Sequence, residues 1–327
     1  MSTKAIAACL AILLATISIN SSPAIAQDWN AYPSRPVRII VPLPAGSAPD
    51  IQARIVAKQL NETWGRGVVV ENRPGGGGII GTQTVLSAPP DGYTLLFGIA
   101  SIFTVLPAQR EKPRFDVNRE LVPIGLTSNT GFIFAASSKL GVNTLGEFIT
   151  MAKSEPYKLV IGTNPAGSLP HLAAKLFVQL SKAPITVVPS NGGTNDAIRE
   201  IMGGRAHAVI EGLSGLRGAL DAGDIKALAI MARERTPVAP EIPTAAETVP
   251  GLVALGWTAL FAPKGTPQAV VERLTNDLRK VLENPDTRAQ YEKIGVLPFR
   301  PVFAADLARF IADEQKLWRP IVEAELK

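Results

Sequence analysis

The chain has almost no cysteine. Cys9 is its single thiol in 327 residues, and it lies inside an N-terminal apolar run. One thiol forms no internal disulfide and no thiolate metal cage. Histidine is nearly as scarce. His171 and His207 are the only two, so a three-histidine catalytic zinc site is impossible. A concentrated basic footprint is also missing. The 33 Lys and Arg are interspersed with 28 Asp and Glu, which speaks against nucleic acid as a partner. There is no G-x-S-x-G elbow, no H-E-x-x-H, and no glycine run ending in Gly-Lys-Ser/Thr. The Pro74-Gly75-Gly76-Gly77-Gly78 run is separated from its strand by Glu71-Asn72-Arg73. It reads as a tight turn, with Arg73 paired to Glu71 or Asp91. No cofactor and no metal are expected.

What is present describes a globular chain. The apolar fraction is 46%, which excludes wholesale disorder. The Gly and Pro are scattered without a three-residue period, which excludes collagen. A chain of this length usually divides into two domains. Lys4, the apolar stretch from Ala5 to Ile19 and the small residues Ala24-Ile25-Ala26 read as a secretory leader, residues 1–26, cut before Gln27. The apolar run falls short of the ~20 residues that span a bilayer. The exported part then carries no thiol and suits the periplasm.

Val37 to Val41 predicts a buried strand, Asp50 to Trp64 a helix, and Val68 to Val70 a second strand. A short helix over Gly78 to Ser87 and a strand over Tyr93 to Phe97 complete a parallel α/β unit. A second series begins after Leu121. Strands are expected at Phe132 to Ala136, Leu159 to Ile161, Ile185 to Val188, Ala206 to Ile210 and Ile225 to Ile230. Helices are expected at Leu145 to Lys153, Leu169 to Leu180 and Asn195 to Met202. The first of these opens at Thr144. The second has Leu172, Leu176 and Leu180 on one face, and the third is capped by Thr194. Residues 237–250 read as turn-rich and extended, and Ala254 to Phe261 as a strand. The tail is helical over Pro267 to Val281 and Thr287 to Ile294. In the last helix Leu307, Phe310, Ile311, Leu317 and Trp318 share an apolar side. The tail should pack on the first unit. The expected fold is α/β and two-lobed, with residues 27–128 and 254–327 in one lobe and 129–253 in the other.

Four loops follow strands, and in open α/β sheets ligands sit beyond the carboxyl ends of strands. The first, Pro42 to Asp50, holds Pro44, Ala45, Gly46 and Ser47. The second holds Ser101. The third runs from Gly162 to Ser168 and holds Thr163, Gly167 and Ser168, with His171 just inside the next helix. The fourth, Ser190 to Thr194, holds Gly192. Ser47 with Asp50 resembles a capping box, and Gly46 permits a tight turn. Helix starts at Ser47 and Ser168 present unpaired N–H groups and a positive dipole end, which attract an anion. No Lys or Arg lies in these loops, so a carboxylate would be held by backbone N–H and hydroxyl groups, directly or through water. Arg217 stands on a following helix. His171 reads either as a donor to a ligand oxygen or as a structural hydrogen bond. His207 lies within a strand-like run, half buried. Glu211, at a strand end, either accepts from a ligand hydroxyl or amine or faces water.

The same segments carry a resemblance. Tyr32-Pro33-Ser34-Arg35-Pro36, Ile39-Ile40-Val41-Pro42, Pro44-Ala45-Gly46 through Asp50, Val70-Glu71-Asn72-Arg73-Pro74-Gly75 and Pro90-Asp91-Gly92-Tyr93-Thr94-Leu95-Leu96 come first. Gly167-Ser168 with His171-Leu172-Ala173, Val188-Pro189 with Gly192-Gly193, Gly203-Gly204, and Phe261-Ala262-Pro263-Lys264-Gly265-Thr266-Pro267 follow in order. Together they resemble the substrate-binding proteins of tripartite tricarboxylate transporters, the Bug or TctC family. The resemblance implies a periplasmic two-lobed clamshell with two connecting strands, and a monomer without enzymatic activity is expected. It implies capture of an organic carboxylate for a membrane permease or a sensor kinase. Pro44 to Ser47 would clamp one carboxylate, and Ser101, Thr163, Gly167, Ser168 and His171 would line the rest of the cleft. The sequence departs from the family pattern at Ser47, Ala48 and Pro49, where more glycine is usual. It departs again at Ser190 and Asn191, where an aromatic and a basic residue are common, and at His207 and Glu211, where Asp is usual. These departures leave room for a longer or bulkier acid than a simple dicarboxylate. An exported hydrolase is the enzymatic alternative, and a sensor partner with no transport role is the other.

Overall fold

Val37–Val41 forms strand β1, buried at all but one position. Strands of a parallel sheet are covered on both faces, so they read as continuous apolar runs. β1 pairs in parallel with β2 (Val68–Asn72) and β3 (Thr94–Ile99). Helix α1 (Ala48–Trp64) connects β1 to β2, and α2 (Ile79–Leu86) connects β2 to β3. Pro49 sits in the first turn of α1, where its missing N–H costs nothing, and Gly65 ends the helix in a left-handed conformation. Gly75 to Gly78 all take positive φ, so the glycine run is the tight turn its composition predicts. Glu71 takes both Arg38 and Arg73, while Asp91 pairs with Arg35. α3 (Ala100–Thr104) and α4 (Val117–Glu120) follow.

The computed structural model describes residues 31–108, 115–190, 192–236, 239–296 and 301–325. The leader reading of residues 1–26 and the loop residue Asn191 lie outside them. Pro33–Lys327 forms one compact unit. No helix among the described residues is long and apolar enough to cross a membrane.

β4 (Leu121–Ser137) runs for 17 residues. Its first part pairs antiparallel with β9 (Leu255–Pro263), which also pairs with β3. Its second part pairs antiparallel with β7 (Ala208–Gly212) and β8 (Ile225–Ile230). Between these come α5 (Leu145–Ser154), β5 (Val160–Thr163), α6 (Leu169–Ser181), β6 (Thr186–Pro189), α7 (Thr194–Met202) and α8 (Leu213–Asp221). The strand order is β2-β1-β3-β9-β4-β7-β5-β6, with β8 also on β4. β5 is parallel to both β6 and β7. Short α9 (Ala245–Thr248) precedes β9, and α10 (Gln268–Glu283), α11 (Pro285–Lys293) and α12 (Ala304–Glu325) close the chain. α10 packs on α1 and β4, and α12 on β4, α3 and α6. The result is a mixed α/β fold with a curled sheet flanked by helices, a two-lobed clamshell.

Four local expectations need correction. The strand expected at Phe132 to Ala136 begins 11 residues earlier, at Leu121. Its first part contains Pro123, Gly125, Thr127, Ser128, Asn129 and Thr130, which conceal strand character, and its register shifts near Gly125 and Ser128. Thr194 does not cap α7. Gly193 holds the cap position, and the Thr194 hydroxyl turns to Glu211 instead. Leu180 and Leu317 are exposed, because each lies beyond the stripe its helix buries. The turn-rich region before β9 contains a helical turn, α9, closed by a Thr244–Glu247 capping box.

The core runs through both halves. Phe103 stacks on Phe261 at 4.3 Å, and Phe134 meets Phe148 at 5.0 Å and Phe177 at 4.8 Å. Phe134 is fully buried. Phe134→Ala should therefore lower unfolding free energy by about 3–5 kcal/mol in a urea titration. A loss below about 1 kcal/mol would contradict this packing.

Candidate functional site

The loop from β1 to α1 is shaped by one carboxylate. Asp50 Oδ2 accepts from the Gly46 N–H at 2.9 Å, and Asp50 Oδ1 accepts from Asn72 Nδ2 at 2.9 Å. Asn72 Nδ2 also donates to the Leu43 carbonyl at 3.1 Å, and Arg54 pairs with Asp50 at 3.0 Å. Burial pushes the Asp50 carboxyl up, but the bonds from Arg54, Gly46 and Asn72 outweigh it and hold it below its ordinary value. Gly46 stands at φ 81°, a conformation that glycine takes without strain. The capping box expected of Ser47 and Asp50 is not formed. Asp50 reaches back, one residue further than a box requires, and the Ser47 hydroxyl caps nothing. Ser47 Oγ is buried and has no hydrogen-bond partner.

The first turn of a helix leaves N–H groups without internal partners. In α1, Pro49 has none and the Ile51 N–H bonds to the Ser47 carbonyl, so Ala48 and Asp50 supply the free amides. α6 begins the same way, with Ser168, Leu169 and Pro170. Here the serine does cap, accepting from the His171 N–H at 3.4 Å. Ala48, Pro49, Ser168, Leu169 and Pro170 line one cavity of about 70 Å³. A water needs roughly 10–15 Å³ on this measure, so the space suits a small organic molecule. Its remaining wall combines apolar Leu43, Ile99, Phe132 and Trp257 with polar Gln52, Ser101, Ser128, Thr130, Asn164, Glu211 and Thr258. A second cavity of about 10 Å³, room for about one water, lies among Leu43, Pro44, Ala45, Ser47, Asn164, Pro165 and residues 192–195. Leu43 and Asn164 line both.

Strands β4 and β9 are tied to α1 across this site. Gln52 Oε1 accepts from Ser128 Oγ at 2.8 Å and from Thr258 Oγ1 at 2.9 Å, and the Thr127 and Thr258 hydroxyls lie 2.6 Å apart. Thr130 Oγ1 is buried and unpartnered. Glu211 is buried at 4% exposure, so the water-facing alternative is corrected. Its carboxylate accepts from Thr194 Oγ1 at 2.6 Å, from the Gly212 N–H at 2.6 Å and from Asn164 Nδ2. Burial pushes its carboxyl above the ordinary value, against the pull of those three bonds. No Lys or Arg lines either cavity among the described residues.

Of the residues singled out by sequence, Ser101, Ser168 and Glu211 line the larger cavity, and Pro44, Ala45, Ser47 and Gly192 the smaller. Gly46, Thr163, Gly167 and His171 line neither. The Thr163 hydroxyl donates to the Asn164 carbonyl. His171 Nδ1 accepts from the Gly167 N–H at 3.3 Å, and burial with Lys175 nearby holds its imidazole below the ordinary value. His207 Nδ1 accepts from the Val160 N–H at 3.1 Å, a structural role. Arg217 pairs with Asp221 and stays outside both cavities. Gln52, Ser128, Thr130, Asn164, Trp257 and Thr258 were not singled out. Asn164 could have been, since it sits inside a loop already marked. The others lie within a helix and two strands, where no local signal separates a cavity residue from a core one.

Compared with known proteins, residues 52–326 match the family described as tripartite tricarboxylate transporter family receptor. The chain is 32% identical to protein BugT of Bordetella pertussis over 330 residues, 98% of this chain and 98% of BugT. It is similar to an R. palustris protein solved with adipate, with a TM-score of 0.85 and 29% identity over 89% of this chain and 97% of that one. MatC from Rhodopseudomonas palustris, solved with bound malate, gives a TM-score of 0.81 and 30% identity over 89% of this chain and 100% of its own.

Asp50→Asn should turn an acceptor into a donor facing Asn72, Arg54 and Gly46. The expected cost is about 2 kcal/mol at neutral pH. A lowered folded-state pKa stabilises fully above the unfolded value of about 3.9 and is lost as pH falls through the folded one. Denaturant unfolding should therefore show wild type and variant converging as pH falls below the unfolded value and through the lowered folded one. A gap that persists there would remove Asp50 as its cause.

Proposed function

The chain belongs to the tripartite tricarboxylate transporter receptor family, and from that premise we propose that its central cavity captures a small organic carboxylate for delivery to a membrane permease. It is a periplasmic solute-binding protein of that family and not an enzyme. The relatives solved with adipate and malate hold carboxylates, which supports the ligand class. The observation that carries the reading is Ser47. A buried hydroxyl without a partner is costly, and this one lies beside the free amides of Ala48 and Asp50 at a helix start. A ligand carboxylate reaching this helix start from the larger cavity, which Ala48 lines, would accept from donors of this kind without any cationic side chain. The smaller cavity gives room for a bridging water between ligand and the loop at 192–195.

Residues 27–128 and 254–327 would act as one lobe and 129–253 as the other, closing by bending of β4 and β9. Pro44, Ala45, Gly46 and Ser47 would form the clamp. Ser101, Ser168, Gly192 and Glu211 would face the ligand, and Thr163, Gly167 and His171 would support the third loop from behind. The protein would act as a monomer, with a permease as its receiver and a sensor kinase as the alternative receiver.

A thermal-shift screen of mono-, di- and tricarboxylates identifies the ligand, since binding to the folded state alone raises the melting point. Ser47→Ala should then leave unliganded stability within about 0.5 kcal/mol of wild type. Calorimetry should show affinity for that ligand falling about tenfold or more. Unchanged affinity would move the carboxylate away from the start of α1.

A further inference from the structure

We propose that Thr130 is a ligand-selecting residue of the larger cavity, and that its hydroxyl takes an oxygen carried on the carbon frame of the acid, apart from the captured carboxylate. The inference rests on the carboxylate-capture reading above and adds the oxygen function by which this cavity tells one acid from another.

Ser128, Thr130 and Phe132 line the cavity, and Asn129 and Gly131 do not. Alternate residues of a strand share a face, so this face of β4 is turned to the cavity. Most of the polar side chains around it are spent on one another. Ser128 and Thr258 both donate to Gln52. Asn164 donates to Glu211, and Ser168 caps α6. Thr130 is 7% exposed. Its Oγ1 is the one buried side-chain oxygen or nitrogen of the cavity wall without a hydrogen-bond partner among the described residues. Gly256 is its register partner on β9 and brings no side chain over it. A Cβ at Gly256 would come within 2.8 Å of the Phe132 ring, so the ring fills the space that a side chain there would take.

A buried hydroxyl left unmatched costs free energy. In a wall otherwise made of apolar and mutually satisfied groups, a ligand oxygen restores the lost bond and an alkyl group does not. Thr130 has one O–H to donate, and carboxylate, ketone and alcohol oxygens all accept it. Thr130 is also set apart from the start of α1. Gly212 lies against Ala48, where a Cβ would come 3.4 Å from the Ala48 side chain, and it pairs with Phe132. Thr130 stands two residues back along β4, about 7 Å, which is more than the width of one carboxylate. The oxygen it takes therefore belongs to a second function of the ligand.

The test is calorimetry on the full unliganded protein with matched acids. Pentanoate, hexanoate and heptanoate are each compared with three partners. In one the terminal methyl is replaced by carboxylate, in another by hydroxyl, and in the third the carbon before it carries a keto oxygen. At least one oxygen-bearing acid should bind about tenfold or more tighter than its alkyl partner, and the three partners show which oxygen function is read. In Thr130→Val that preference should shrink to about threefold or less, while the alkyl acid binds within about twofold of wild type. Thr130→Ser should keep the preference. The melting point of unliganded Thr130→Val should equal or exceed that of wild type, since an unmatched hydroxyl gives way to a methyl. A purely structural threonine would instead weaken every acid alike and lower the melting point, and that result overturns the inference. An alkyl acid binding as tightly as all its oxygen-bearing partners also overturns it and leaves carboxylate capture standing. So does a preference that survives Thr130→Val. If none of the acids binds, carboxylate capture fails and the inference with it. Should Thr130→Val not fold, Thr130→Ala takes its place.

Discussion

A buried aspartate holds the site open. Asp50 draws in the Gly46 amide, the Asn72 side chain and Arg54, and so pins the loop after β1 against β2. Without that knot the loop amides would be free to turn toward water. With it, the Ser47 hydroxyl and the first amides of α1 are left as the unspent donors of the loop. Gln52, two residues further along the same helix, then fastens α1 to both β4 and β9. The first half, the connecting strands and the cavity wall are thus joined through one turn of one helix.

The two halves present similar helix starts but use them differently. Both have serine followed by a residue and then proline, and both line the same space. In the first half the serine hydroxyl is left over. In the second, Ser168 caps its helix, and nearby donors are gathered onto Glu211. No lysine or arginine lines the cavity among the described residues, so its polar wall is made of hydroxyls, amides and the one buried carboxylate of Glu211.

Much of this could be read from the residues. β1 and β3 are short apolar runs because parallel strands are covered on both faces, and the Ser-x-Pro helix starts announce themselves. The full length of β4 could not be read. Its first part carries Ser128 and Thr130 inward toward the cavity, so residues that line the cavity are among those that hide the strand. Ser47 with Asp50 looked like a local cap, yet Asp50 bonds elsewhere, because Asn72 and Arg54 compete for its oxygens. Thr194 fails as a cap for a different reason. It is already the first helical residue, with Gly193 in the cap position, and its hydroxyl donates to Glu211. Trp257 and Thr258 become cavity residues only once β9 is placed beside β4, a pairing separated by more than a hundred residues of chain.

The account depends on where a bound carboxylate sits. The direct measurement is a crystal structure of the protein with the tightest acid from the screen. The expected result is a ligand carboxylate at about 2.7–3.2 Å from Ser47 Oγ and from the amides of Ala48 and Asp50. A carboxylate held by a lysine or arginine outside the cavity, with Ser47 still unpartnered, would contradict it.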